Sequence, residues 1–485
     1  MTESLAPDPG LAAFRQAGHE LIDWVADYLQ HAERYPVLPR TQPGELRAAL
    51  PAAPPLEPEP LDAILADFHR YILPNTTHWN HPGFMAYFAV SGSPPGILAE
   101  LLIAALNVNA MVWRTGPAAT ELEEVTLAWL RDLLGLPAEF DGTINDTASS
   151  STLYALAAAR EKLNKLHLHE EGLAGRPEVP PLCVYCSEEA HTSVDKATIA
   201  LGLGRANVRR IPTTHDYTMD VDALHVAIAA DIRAGRKPMA VVATVGTTSA
   251  TAVDPVNRIA DVCARHDIWL HVDGAYGGSA AVLPEMRWVL EGCERAHSIV
   301  VNPHKWLLVP IDCSVLYTRE PALLRAAFTL THEYLKTPEE GAARNLMDYG
   351  ISLGRRFRAL KLWFVMRAYG VEGIRAHLRE HIRLARMFAD WVDAHPEYER
   401  LAPTRFSVVV FRHVPPHLAG KPDELDRHNL ALLERVNSDG AVFPSHTRTK
   451  GRLALRIAIG NQRTREEHVR KAWELVQQHA GEITS

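Results

Sequence analysis

The stretch Ile268-Trp269-Leu270-His271-Val272-Asp273-Gly274-Ala275-Tyr276-Gly277-Gly278 reads as a buried strand that ends in a carboxylate and a run of small residues. A second short apolar run, Ser298-Ile299-Val300-Val301, leads into Asn302-Pro303-His304-Lys305-Trp306. Residues 182–185, 239–245 and 314–317 have the same strand character, whereas 254–266 and 285–293 read as helices between strands. Strands alternating with helices predict an α/β unit around a mostly parallel sheet. In such sheets ligands bind outside the carboxyl ends of the strands, which is where Asp273 and Lys305 fall.

The lysines narrow the kind of ligand. The chain has ten lysines against forty arginines, and most lie among polar residues or at turns. Lys305 and Lys361 have apolar flanks. Lys361 falls within a helical pattern, where its stem can snorkel to solvent. Lys305 follows a strand and precedes Trp306-Leu307-Leu308-Val309, so desolvation is expected there. Desolvation lowers an amine's pKa and leaves it a nucleophile toward an aldehyde. This segment alone does not separate that role from a lysine paired with a nearby carboxylate.

Asp273 tips the balance. A carboxylate at a second strand end can pair with a protonated pyridine nitrogen and keep an aldehyde cofactor's ring cationic, hence an electron sink. A lone strand-end Asp would read as a turn or cap. Thr147-Ala148-Ser149-Ser150-Ser151 precedes an apolar helix over 152–163. Its hydroxyls and free amides suit a phosphate, and equally an ordinary helix cap. His191, after the strand at 182–185, is a candidate for stacking on such a ring.

Working outward, residues 11–32 form an amphipathic helical pattern, followed by a connector rich in proline from Pro36 to Pro60. Helices are expected over 97–106, 121–134 and 353–369. Strands are expected at 406–411 and 453–459, with a closing helix from Thr464. The implied organisation is an N-terminal helical segment (1–90), a large α/β domain (91–370) and a small C-terminal α+β domain (371–485).

The composition narrows the class further. The chain has 485 residues, 47% of them hydrophobic and 22% charged, with net charge −8. Its basic residues are scattered, so no nucleic-acid footprint is expected. Apolar runs are strand-length or broken by charge, which argues against a membrane span. The first ten residues lack the basic start and apolar stretch of a signal peptide. Five irregularly spaced cysteines suit a reducing compartment, so a cytoplasmic location is expected. Cys183 and Cys186 read as two buried strand residues rather than a metal or redox pair; no metal site is expected.

Taken together, these segments resemble the group II pyridoxal phosphate-dependent decarboxylases, and most closely the aromatic-L-amino-acid decarboxylases. The matching pieces are His81-Pro82 with Ala86-Tyr87-Phe88, Thr120-Glu121-Leu122-Glu123, Thr147 to Ser151, and Ala190-His191-Thr192-Ser193-Val194. They continue through Ala243-Thr244-Val245-Gly246-Thr247-Thr248, residues 269–278, residues 302–314 and Leu353-Gly354-Arg355-Arg356-Phe357-Arg358. They span nearly the whole chain in family order, with 302–314 the most specific.

The resemblance implies a fold-type-I enzyme that uses pyridoxal 5'-phosphate to decarboxylate an aromatic L-amino acid to its amine. It implies Lys305 as the Schiff-base lysine, Asp273 as the pyridinium partner and His191 as the stacking histidine. Ala148, Ser149, Asn302 and His304 would serve the phosphate, and Thr248 would touch the cofactor. Tyr334 resembles the loop tyrosine that protonates Cα. Trp79, Tyr87 and Phe88 resemble walls of the substrate pocket, and Gly354 a small residue compatible with an indole. A homodimer with its active sites at the subunit interface is implied, with the N-terminal helical segment (1–90) packing on the partner subunit. An aromatic acetaldehyde synthase, which also deaminates oxidatively, is the alternative, and a glutamate decarboxylase a more distant one. Three departures stand out: Gly274 where alanine is usual, Asp146 where glycine often stands, and Ala89-Val90 in place of a Pro-Thr pair. The Asp146 side chain is expected to point away from a phosphate.

Overall fold

In the computed structural model of the chain, residues 10–330, 339 and 341–484 are described. The strands in chain order are β1 (Phe84–Met85), β2 (Asp141–Asn145), β3 (Leu182–Ser187), β4 (Val208–Ile211), β5 (Lys237–Thr244) and β6 (Trp269–Asp273). Then come β7 (Ser298–Val301), β8 (Ser314–Thr318), β9 (Tyr398–Arg400), β10 (Val408–His413), β11 (Phe443–Thr449) and β12 (Arg452–Ala458).

Seven of them form one sheet in the order β2-β8-β7-β6-β5-β3-β4. Only β8 runs against its neighbours; every other adjacent pair is parallel. This is the mostly parallel sheet expected of a fold-type-I architecture. Both faces are covered, and alternate side chains serve different cores. Cys183, Tyr185, Val241 and Ala243 belong to one cluster, whereas Leu182, Val184, Cys186, Ala240 and Val242 belong to another. A three-residue spacing on a strand therefore sends Cys183 and Cys186 to opposite faces, and both thiols are free and buried.

A second sheet has the order β1-β11-β12-β10-β9. It packs on the helices Ala359–Ala394, Pro422–Asp439 and Glu466–Thr484 through Phe388, Phe411, Val436, Leu455 and Trp473, among others. Its edge strand β1 comes from the N-terminal part of the chain and pairs parallel with β11. The helix Gly10–Gln30 buries only Leu29; Leu11, Phe14, Leu21 and Ile22 are exposed. No helix among the described residues is long and apolar enough to cross a membrane.

Three expectations need correction. The helix expected from 353 begins at Ala359 and runs to Ala394, interrupted at Gly370, whose φ of 62° is left-handed. Residues 353–358 are irregular because their backbone bonds elsewhere. Arg355 N–H donates to Asn109 Oδ1 (3.0 Å), and Arg355 O accepts from Ala110 N–H (2.9 Å). Residues 285–293 form 3₁₀ turns, Pro284–Leu290 with Cys293–Arg295 following, rather than an α-helix. Lys361 does not snorkel. It is fully buried, 2.7 Å from Glu100 Oε1 and 3.6 Å from Asp312 Oδ1, and it donates to the carbonyls of Asp312 (2.7 Å) and Pro310 (3.3 Å). Two carboxylates and two carbonyls replace the water that snorkelling would have reached.

Candidate active site

Strands β2, β3, β5, β6 and β7 run in one direction, so their carboxyl ends share one edge of the sheet. Thr147 to Ser149, His191, Thr248, Asp273 and Lys305 all follow those ends closely. These expected residues, which lie between positions 147 and 305 of the chain, are thus gathered along one rim.

Two loops at the centre are stitched together. Asn302 N–H donates to Ala275 O (3.1 Å), Gly274 N–H to Val300 O (3.0 Å) and Lys305 N–H to Asn302 O (2.9 Å). The small residues permit this approach. A Cβ on Gly277 would lie 2.6 Å from Val245 O, which no side chain tolerates. A Cβ on Gly274 would lie 3.1 Å from Val300 O, so glycine relieves a crowding that alanine would impose.

Lys305 sits on the short helix Pro303–Trp306, deep but with a path to water. Its Nζ lies 5.1 Å from the centre of the Phe88 ring. Burial pushes its pKa down; the Asp273 carboxylate opposes this and Arg456 reinforces it. Among the described residues no hydrogen bond to its ammonium is recorded. Asp273 is buried, and its Oδ1 accepts from Ala275 N–H (3.1 Å). His191 Nδ1 accepts from Ser193 N–H (3.1 Å), so the neutral ring carries its proton on Nε2. Burial lowers the His191 pKa while Asp273 pulls it up. The ring is exposed at the rim.

The anion-binding end is built from backbone and amide donors. The helix Ala148–Glu161 starts after Thr147, which makes no side-chain cap. The first amides of the helix therefore have no intrahelical partner. The Asp146 carboxylate folds back onto Thr147 N–H (2.7 Å). His304 Nδ1 accepts from Cys313 N–H (2.9 Å), and burial pushes the ring down to about 4. The neutral ring then donates from Nε2, and the Asn302 amide lies 3.3 Å away. As placed, Asn302 Nδ2 faces the ring and Oδ1 is buried with no partner among the described residues; turning the amide over makes the bond and leaves the NH2 free for an anion. Thr248 is exposed beside Thr247, whose hydroxyl accepts from Ala252 N–H (2.9 Å).

One charged residue was missed by the sequence reading. Arg456, on β12, is buried with its guanidinium carbon 4.7 Å from the centre of the Phe88 ring. Its Nη1 donates to Tyr87 O. Its Nε and Nη2 are buried with no partner among the described residues, and burial pushes its pKa down to about 10. Buried N–H groups left unpaired cost free energy, and such groups mark a place where a ligand belongs. The available signal was an arginine in the middle of an apolar strand.

The pyridoxal-dependent decarboxylase conserved domain matches residues 43–414. The chain belongs to the pyridoxal-dependent decarboxylase family. A tryptophan decarboxylase of Camptotheca acuminata is 39% identical over 96% of this chain and 94% of that protein. A phenylacetaldehyde synthase of a Rosa hybrid cultivar is 37% identical over all of this chain and 96% of its own length. The crystal structure of Oryza sativa TDC with PLP and tryptamine superposes with a TM-score of 0.95 at 38% identity, covering 99% of this chain and all of that one.

The cofactor of this pyridoxal-dependent decarboxylase is pyridoxal phosphate, and the residues present fit it. They offer a desolvated amine, a buried carboxylate, an uncapped helix N-terminus and an aromatic wall. The other expected residues are placed less centrally. Trp79 stacks on Phe84 (4.3 Å) and on Tyr87 (6.0 Å), both Trp79 and Tyr87 being exposed. Phe88 instead stacks on Tyr276 (4.0 Å). Gly354 is exposed, and a Cβ there would meet only Asn109 Oδ1, at 3.9 Å. Tyr334 lies outside the described residues.

Proposed function

We propose that this chain decarboxylates an aromatic L-amino acid (tryptophan, tyrosine, dopa or phenylalanine) to the corresponding amine and carbon dioxide. One observation carries the reading: beside Lys305, the Phe88 ring lies against a buried guanidinium with two N–H groups that have no partner among the described residues. An α-amino acid with an aromatic side chain offers a carboxylate to Arg456 and a ring to the aromatic wall. The names of the Camptotheca and Rosa relatives are in keeping with an aromatic side chain.

When bound, pyridoxal phosphate supplies the electron sink that takes up the bonding pair as carbon dioxide leaves. Lys305, its pKa lowered by burial, would offer the amine that holds the cofactor aldehyde. Asp273 would hold the proton at the pyridine nitrogen, and His191 would pack against the ring. Ala148, Ser149, Asn302 and His304 would hold the phosphate, with Thr248 beside the cofactor. Arg456 docks the carboxylate through two N–H groups, a geometry suited to a carboxylate edge. Docking it there would fix the direction in which the carboxylate leaves Cα. Tyr334 delivers the proton to Cα.

The pocket is assigned to Trp79, Tyr87, Phe88 and Gly354, completed by a second copy in a homodimer. Exposed Leu98, Leu101, Leu102 and Leu106, with Ile351 and Leu353 beside Gly354, support that assignment. The three-part division at residues 90 and 370 and a cytoplasmic location belong to the same reading; the Gly370 interruption supports the second boundary.

The test is a panel of aromatic L-amino acids plus glutamate, with amine, aldehyde and hydrogen peroxide quantified. Amine is expected as the main product of at least one aromatic substrate. Abundant aldehyde and peroxide from the wild type would establish the acetaldehyde synthase alternative, and turnover of glutamate alone would overturn the aromatic reading. Tyr334→Phe is expected to keep cofactor binding and divert product toward aldehyde.

A further inference from the structure

His381 lies beyond Gly370 on the Ala359–Ala394 helix and has no part in the chemistry above. It is buried between two partners. Nδ1 accepts from the Trp306 indole N–H (3.1 Å), and Nε2 lies 3.1 Å from the carbonyl oxygen of Asn461. Only a neutral ring protonated on Nε2 makes both bonds, and burial, which pushes its pKa to about 4, keeps it neutral.

Each partner leads to the site. Trp306 follows Lys305 directly and stacks on Tyr276 (4.8 Å), which stacks on Phe88 (4.0 Å). A buried indole N–H needs an acceptor, and His381 is the one it has. Asn461 lies just past β12, the strand of Arg456. Its Nδ2 donates to Trp79 O (2.9 Å) and His81 O (3.1 Å), and its Oδ1 accepts from Arg463 N–H (2.8 Å). An apolar side chain could fill the same volume, but it could not accept on one side and donate on the other.

We propose that His381 is a positioning residue that ties the Lys305 segment to the end of β12 and to the Trp79–His81 segment, and so sets the spacing between Lys305 and Arg456. The inference rests on the functional reading above for what that spacing does. Misplacement of a reacting group by about 1 Å costs on the order of a hundredfold, and rotamer support of this kind is what prevents it.

The experiment compares holoenzyme variants Trp306→Phe, His381→Gln, His381→Asn and the pair Trp306→Phe/His381→Gln. Three quantities are read: kcat and KM, the pH midpoint of the cofactor absorbance band, and Tm. Trp306→Phe and His381→Gln each remove the indole bond, and each is expected to lower kcat/KM by about ten- to a hundredfold and to shift the absorbance midpoint. The double variant should lose no more than the worse single one. His381→Asn places an amide oxygen near the Nδ1 position and should restore the midpoint, while still raising KM because the Asn461 bond is gone. Additive losses, identical Asn and Gln variants, or a change confined to Tm would each overturn the proposal. If the position 381 variants do not fold, Trp306→Phe alone decides, since it keeps the histidine: an unmoved midpoint and unchanged kcat/KM overturn the inference. If the wild type yields no amine the functional reading fails, and the absorbance midpoints still judge His381.

Discussion

The molecule buries two lysines in opposite ways. Lys361 is enclosed by Glu100, Asp312 and two carbonyl oxygens, all within 3.6 Å. Lys305 faces the Phe88 ring, with Asp273 pulling its pKa up and Arg456 pushing it down. Lys361 is cut off from water completely and Lys305 keeps a path to it, and among the described residues only the Lys361 ammonium has acceptors. A buried cation with its partners in place is a structural brace. A buried amine without them sheds its proton readily and becomes a nucleophile. The same residue type therefore does different work according to which oxygens lie within reach.

Substitutions can break that contrast. Lys305→Ala is expected to lower turnover by at least ~10³-fold and to abolish the cofactor absorbance band, with little change in unfolding; retained turnover would remove Lys305 from the mechanism. Arg456→Leu takes away the guanidinium beside Phe88 and is expected to cost roughly a hundredfold in kcat/KM. The loss should fall mainly on KM for an aromatic substrate, as steady-state kinetics would show. Lys361→Met should do the reverse. It strands Glu100 and Asp312, which are partly exposed and keep Arg356 and Arg358 as partners. A loss of about 2–3 kcal/mol in chemical unfolding is therefore expected, with the absorbance band intact.

Acid is the mildest probe. Burial pushes His81, His271, His297, His304, His381 and His428 down to about 4, against an ordinary value near 6.5. Each of them is neutral in the fold and would gain a proton on unfolding below that value. Their contribution is complete above about pH 6.5 and is lost as the pH falls toward 4. Tm measured across that window should drop steadily, and a flat profile would contradict the neutral burial of these rings.

Much of the fold was legible because local pattern and tertiary role agree. Ser298–Val301 is a strand to the residue expected, and β5, β6 and β8 differ from the reading only at their ends. The misses have physical causes. Asp141–Asn145 carried no strand expectation, yet it is a strand, held by β8 on one side and by Glu123 Oε1 accepting Ile144 N–H at 2.8 Å. Residues 353–358 have a helical pattern but spend their hydrogen bonds on Asn109, Ala110 and, through Arg358, Asp312. In both cases distant partners outweigh a weak local preference. At the site, Asp273 and Lys305 were readable because each lies at a strand end. Arg456 was not, because nothing within β12 indicates that it faces Phe88.

The sequence by itself determined the alternation of strands and helices, and hence a parallel sheet with Asp273 and Lys305 at its carboxyl edge. Those features follow from the period of apolar residues and from turn chemistry, which act over a few positions. The tertiary structure alone decided that Lys361 is caged, that Arg456 reaches the Phe88 ring, and that His381 joins Trp306 to Asn461. Each of these depends on which groups from remote segments come within about 3 to 5 Å, and no local pattern encodes that distance.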